Sequence, residues 1–501
     1  MMRRMSLLLL LAALAARPAP ASAQETATGP MARQLTPILK ARHWRYATWG
    51  ALVVSLTHGD TLFSWRADRR FVPASNAKLF TTAAALHYLG PDYRFPTVLF
   101  ADGPISNGEL YGDLVLYGTG DPTFALDTAG LAPFADSVVR AGIRRVRGDI
   151  VGDASFLGAE LSGPGWSPDN LNDAYSAPPS ALGAAENHIR VTVEPGARTG
   201  APATFWLDPP GDYYHITNHV VTARPRTRTR IQVREGRARG AVELTGSINI
   251  SRGSWNTFLV VREPALFAAG MLRQLLEARG VRITGSTRAE TGEAPERARL
   301  VLDHLGHVRE DFAGAVAVRR SAPLDQIVSM INHRSHNLSA ELALRSIGRV
   351  RGNSGTFASG ARLVQRYLIE DVGVSADAVQ VTDGSGLSLL DLATPRSLVQ
   401  LLAHERNDNA FYRSLPLVGQ GLRDRMVRTA ALGRLRAKTG TLVGVSALSG
   451  YVTTAGGEEL VFSLIVNSTP SVARARTVQD QIGARLAALD RDLPRQRASG
   501  N

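Results

Sequence analysis

Pro73-Ala74-Ser75-Asn76-Ala77-Lys78-Leu79-Phe80-Thr81-Thr82 sets a serine three residues ahead of a lysine at the mouth of an apolar run. Three positions apart on a helix is nearly the same face, so the Ser75 hydroxyl and the Lys78 amine can meet without help from another element. Leu79, Ala83 and Leu86 recur at helical spacing, and Gly90-Pro91 ends the pattern. Taken alone, Ser75 also reads as a plain N-cap. Further along the chain, two other clusters weigh against that plainer reading.

Working outward, 24–95 opens with a short helix expected over 36–44, capped by Thr36 with Pro37 as its first residue. A β-hairpin follows, 50–56 against 61–65, and delivers the chain to Ser75. From 96 to 289 the pattern changes to short strands, many glycines and prolines, and little helix, apart from a periodic run at 264–280. This reads as a β-rich insertion of one or two subdomains. The arginine-dense stretch 224–239 within it reads as a solvated face. Helical spacing resumes at 324–348, broken by Asn332-His333-Arg334-Ser335-His336-Asn337, a polar cluster that marks a turn. Asp383-Gly384-Ser385-Gly386-Leu387-Ser388 is a glycine-rich turn. Segments 435–440, 445–453 and 459–467 alternate as strands, and a helix with Val478, Ile482 and Leu486 on one face closes the core near 490. The tail 491–501 is polar and expected to be loose.

Composition narrows the chemistry. The 501 residues exceed one compact core, and 44% hydrophobic with 20% charged residues is globular. Residues 1–23 carry a secretory signal: Arg3 and Arg4, an apolar stretch, then Ala21-Ser22-Ala23. No later stretch is long and apolar enough for a transmembrane span, so the expected location is periplasmic or extracellular, at the cell wall. No cysteine is present, which removes disulfides and thiol catalysis. The net charge of +13 suits anionic surfaces, but no basic stripe interleaved with aromatics points to nucleic acid. Only three of the 57 basic residues are lysine: Lys40, Lys78 and Lys438. A lysine can give up its proton in a pocket and an arginine cannot.

Gly-x-Ser-x-Gly, His-Glu-x-x-His, phosphate-loop and complete dinucleotide motifs are all missing, and the 11 histidines show no metal-ligand spacing. What remains is Ser75-x-x-Lys78, Ser335-His336-Asn337 and Lys438-Thr439-Gly440. Each is weak alone. Ser335 and Asn337 read equally well as caps, and a lone Lys438 as an exposed strand residue. Together, on a helix start, a turn and an edge strand, they form one expected site.

At these residues the sequence resembles the penicillin-recognising serine peptidases, and among them the class C low-molecular-mass penicillin-binding proteins, a family of D-alanyl-D-alanine carboxypeptidases and endopeptidases. The resemblance also takes in Gly165-Trp166, Ala177-Pro178-Pro179-Ser180, Ala340-Glu341, Asp383 to Ser388, and Arg436-Ala437-Lys438-Thr439-Gly440-Thr441-Leu442. The gap of about 260 residues between Ser75 and Ser335 marks this class. The resemblance implies an α/β (α+β) core, an antiparallel sheet flanked by helices, built from 24–95 and 290–490.

It implies Ser75 as nucleophile, Lys78 as base, Ser335 as proton relay, and Asn337 bonding Lys78 and substrate. Lys438 and Thr439 would hold the substrate's terminal carboxylate, Gly440 would allow its close approach, and the N–H groups of Ser75 and Thr441 would form the oxyanion hole. Burial and the Lys438 charge are expected to depress the Lys78 pKa. Asp153 matches an acidic residue near a side-chain subsite. Leu389 stands where the family often has an arginine for the diaminopimelate carboxylate. The implied partners are peptidoglycan stem peptides and β-lactams, with no metal or cofactor. Two rivals are a β-lactamase or esterase on the same core, and a non-catalytic cell-wall binding protein.

Overall fold

The structure, a computed structural model, describes residues 27–124, 128–303, 306–422 and 424–491. The expected signal peptide 1–23 and the tail beyond 491 lie outside the described residues. Arg491 itself is tied down, donating from Nη1 to Asp60 Oδ2 at 2.7 Å and from Nε to Glu458 Oε2 at 2.8 Å.

The region outside the insertion is organised by one antiparallel sheet of five strands in the order Thr61–Trp65, Thr48–Ser55, Glu459–Asn467, Val445–Thr453, Leu435–Leu442. Its three central strands are buried along nearly their whole length because both faces are covered. Alternation sorts their side chains to two cores. Val461 and Ile465 pack with the helices Ala77–Leu89, Leu324–Arg334, Asn337–Gly352, Phe357–Glu370 and Pro395–His404. Leu460, Phe462, Leu464 and Val466 pack on the other side with Ala32–Leu39 and Val472–Ala487. The implied core, a sheet with helices on both sides, is therefore present. Leu435–Leu442, which carries Lys438, is an edge strand as expected.

The first helix departs from its reading: it spans Ala32–Leu39 with Pro37 inside it. Met31, Leu35 and Leu39 recur every four residues and are all buried, so packing of that stripe outweighs the proline's missing donor.

The insertion is less purely β and longer than its sequence pattern suggests. Its main sheet is mixed, in the order Thr287–Glu290, Ile150–Asp153, Asp113–Gly118, Pro96–Asp102, Ala315–Arg320. The helices Ala132–Arg140 and Pro264–Ala278 contribute buried side chains to the same core. Since Arg320 pairs with Pro96, the chain leaves this sheet near 320 and not at 289. These partners are far apart in sequence, so no local pattern announces them. Beyond this sheet lie two three-stranded sheets, one of them Thr204–Asp208, His188–Glu194 and Trp255–Val260. The insertion's core also includes Leu338, Leu342 and Val350 of the catalytic helix Asn337–Gly352, so both regions bury one face of a single helix.

Candidate active site

Ser75 lies in a single 3₁₀ turn, Ala74–Asn76, at the head of the helix Ala77–Leu89, and no side chain caps either element. The N-cap reading of Ser75 therefore fails. Its Oγ lies 3.0 Å from Lys78 Nζ. The turn is strained, with Ala74 at φ +48°. Two glycines permit this. A Cβ on Gly440 would stand 2.7 Å from the Pro73 carbonyl oxygen and 3.1 Å from Ser75 N, and one on Gly386 would meet the Ala74 carbonyl oxygen at 1.9 Å. The sequence reading assigned Gly440 to close approach of substrate. Its bare face meets the backbone of the Ser75 turn, which is pressed between this edge strand and the 383–388 turn.

Lys78 is fully buried at the centre. Its amine donates to Asn337 Oδ1 and to the Ser385 carbonyl, both at 2.7 Å. A neutral amine has two N–H bonds and one lone pair. With two N–H bonds held by the carbonyls of Asn337 and Ser385, the remaining position of the Lys78 nitrogen faces Ser75 Oγ, and in the neutral amine that position is the lone pair. Burial lowers its pKa to about 8, opposed by the charges of Glu341, Asp383 and Asp391. The two lysine charges repel each other, and burial with the Lys78 charge holds Lys438 well below the usual lysine range.

The polar cluster between the helices Leu324–Arg334 and Asn337–Gly352 is a turn that also serves the site. Ser335 adopts φ +55°, and His336, not Ser335 or Asn337, caps the second helix by accepting from Ser339 N–H. Both flanking side chains are thereby left for the lysines. Ser335 Oγ accepts from Lys438 Nζ at 2.8 Å, and Lys438 also donates to the Thr439 carbonyl at 3.0 Å. Thr441 Oγ1 accepts from Arg476 on the last helix at 2.8 Å. Ser75, Lys78 and Asn337 are thus joined by hydrogen bonds, as are Ser335 and Lys438, and the Ser335–Asn337 turn brings the two groups together, with Thr439, Gly440 and Thr441 along the edge strand.

Asp153 is not brought into this cluster. It ends a strand of the insertion sheet with its side chain fully buried, accepting from Ser155 N–H at 2.8 Å and ion-paired to Arg297. Its carboxylate is engaged there, so the subsite role expected from sequence has no support in its surroundings.

Sequence reasoning gave no role to the shell behind Lys78. Glu341 accepts from Gly384 N–H at 2.7 Å and Ser385 N–H at 2.9 Å, and burial with the Asp383 charge raises its pKa to about 8. Asp383 accepts from Gly386 N–H and Ser388 N–H, both at 2.7 Å, and from Trp166 Nε1 at 2.8 Å. These bonds fix the Ser385 carbonyl that receives Lys78. From the insertion, Tyr175 offers its carbonyl to Asn337 Nδ2 at 2.8 Å. The only sequence signal for these residues was that several lie in stretches sharing the family resemblance.

Comparison with known proteins agrees with this arrangement. The chain matches the D-Ala-D-Ala carboxypeptidase 3 (S13) family over residues 31–489. It is 34% identical over 493 residues to the D-alanyl-D-alanine carboxypeptidase of Actinomadura sp. (strain R39), covering 95% of this chain and 87% of that protein. It is 23% identical to D-alanyl-D-alanine carboxypeptidase DacB of Haemophilus influenzae, covering 83% and 85%. The crystal structure of penicillin binding protein 4 from Haemophilus influenzae superposes with a TM-score of 0.77 at 21% identity, over 89% of this chain and 97% of that one. A second structure of that protein, complexed with a β-lactam, gives a TM-score of 0.71 at 20% identity over the same shares. With its fold shared and its sequence matched from Met31 to Leu489, the chain belongs to the D-Ala-D-Ala carboxypeptidase 3 (S13) family of serine-type peptidases.

Proposed function

We propose that the chain removes the terminal D-alanine from peptidoglycan stem peptides, or cuts D-alanyl cross-links between them, through an acyl-enzyme on Ser75. The contact of Ser75 Oγ with the fully buried Lys78 amine, at 3.0 Å, carries this reading. Ser75 Oγ attacks the carbonyl between two D-alanines while its proton passes to the Lys78 lone pair. The oxyanion is received by the N–H groups of Ser75 and Thr441. The C–N bond then breaks, and the departing amine takes a proton from Lys78 by way of Ser335. Water attacks the ester carbon and gives a proton to Lys78, which returns it to Ser75 Oγ as the ester C–O bond breaks and the peptide leaves.

Lys438 and Thr439 take the terminal carboxylate. The carboxylate's negative charge favours the charged form of a lysine that burial has pushed toward neutrality, so binding and ionisation of Lys438 reinforce each other. A β-lactam presents a similar carbonyl and carboxylate and acylates the same oxygen. Among the described residues no helix is long and apolar enough to cross a membrane, and the leader expected at 1–23 would export the enzyme to the cell wall.

The test is labelling with fluorescent penicillin, together with D-alanine release from a stem pentapeptide. Wild type should label and release D-alanine, and Ser75→Ala should lose both by at least about a thousand-fold. Equal labelling of the two proteins would overturn the assignment. Rapid loss of the label from wild type, with no D-alanine release, would favour the β-lactamase reading.

A further inference from the structure

Two segments of the insertion hold the Ser335–Asn337 turn. The first is the Tyr175 carbonyl, which accepts from Asn337 Nδ2 at 2.8 Å while Asn337 Oδ1 accepts from Lys78. The second reaches the residue between the two polar side chains. His336 caps its helix through Nδ1, which accepts from Ser339 N–H at 3.4 Å and lies 2.7 Å from Ser339 Oγ. A ring whose Nδ1 is an acceptor carries its proton on Nε2. That nitrogen lies 3.3 Å from Glu186 Oε2, and the contact holds the Glu186 carboxyl below the usual range.

The backbone that presents Glu186 is unusual. Ala185, Glu186 and Asn187 have φ of +51°, +52° and +54°, three consecutive left-handed residues without a glycine. Left-handed backbone is strained in any residue with a Cβ, so the turn persists only because its surroundings impose it. Asn187, wholly buried, does so: its Nδ2 donates to the Pro178 carbonyl at 2.8 Å, its Oδ1 accepts from Ala184 N–H at 3.2 Å, and its own carbonyl accepts from Val261 N–H at 2.8 Å. Apolar packing does not account for Glu186, whose side chain is 34% exposed and faces His336, with His188 and Arg334 in electrostatic reach.

We infer that Glu186 is a positioning residue for the reaction. Through His336 Nε2–H it fixes the orientation of the turn, and with it Asn337 Oδ1 against Lys78 and Ser335 Oγ against Lys438. The inference rests on the proposed role of Ser75, and it gives part of the insertion a share in catalysis without contact with substrate.

Three variants separate this role from simple stability. Glu186→Gln keeps an oxygen to accept from Nε2–H, Glu186→Ala removes it, and His336→Asn keeps a good helix cap but gives up the reach to Glu186. Fluorescent-penicillin acylation rates, kcat and KM on a stem pentapeptide, and melting temperatures are read on each. Glu186→Ala and His336→Asn should slow acylation about ten-fold and lower kcat with little change in KM, while Glu186→Gln stays within about two-fold of wild type. Wild-type acylation by Glu186→Ala would overturn the inference. So would Glu186→Gln as slow as Glu186→Ala, or losses of rate that merely follow losses of melting temperature. A wild type that takes up no penicillin would overturn the Ser75 reading and this inference with it.

Discussion

At the scale of the residue, the decisive feature is an amine that burial brings toward neutrality against the pull of its carboxylate neighbours. Lys78 works as a base only when deprotonated, and burial has lowered its pKa to about 8. The free-base fraction therefore rises as pH rises through about 8, and the rate of penicillin acylation should climb from pH 6 to pH 9 with its midpoint near there. Stopped-flow acylation across that range checks the sign: a rate that falls over this interval contradicts Lys78 as base. Lys78→Arg keeps the positive charge but cannot give up a proton, so labelling should drop to the level of Ser75→Ala. The Ser75–Lys78 pair was legible in the sequence because both partners sit on one helix face. Glu341, Asp383 and Asp391 were not, because the loop bonds that gather them form only when 382–391 folds against the helix Asn337–Gly352.

Elements meet at the site with little clearance. The edge strand Leu435–Leu442 and the nucleophile turn touch at Gly440, where a methyl group would stand 2.7 Å from one backbone atom and 3.1 Å from another. Neither neighbour is a flexible side-chain tip, so Gly440→Ala should displace the turn, cost about 1–3 kcal/mol in thermal unfolding, and slow acylation more than the stability loss alone explains. An alanine variant with wild-type stability and rate would show that the strand and turn are looser than drawn. Element types were largely readable from periodicity, including the hairpin Thr48–Ser55 with Thr61–Trp65 and the three C-terminal strands. The helix Ala32–Leu39 begins before its proline signal because the buried stripe of Met31, Leu35 and Leu39 outweighs it.

For the molecule as a whole, the insertion and the core are one packed body along the helix Asn337–Gly352. Arg345 on that helix is fully buried and donates to the carbonyls of Gly355, Glu160 and Leu157 at 2.7, 2.6 and 2.7 Å, and also to that of Pro179. One guanidinium thus ties the 157–179 segment, which also supplies Trp166 and Tyr175, to the catalytic core. Arg345→Met would leave those carbonyls buried and unpaired, and should cost about 4 kcal/mol or more in chemical denaturation. A loss under about 1 kcal/mol would mean that water readily replaces the arginine. The sequence by itself pointed to the chemistry: two serines, two lysines and an asparagine at spacings that fit one reaction, with the family resemblance they carry, because covalent order and helical period are local properties. Tertiary structure alone decided where the insertion ends, that Asp153 turns to Arg297, and which carboxylates and carbonyls surround Lys78. It also set Glu186 of the insertion beside His336, because those contacts join residues about 150 or more positions apart and depend on how separate sheets and helices pack.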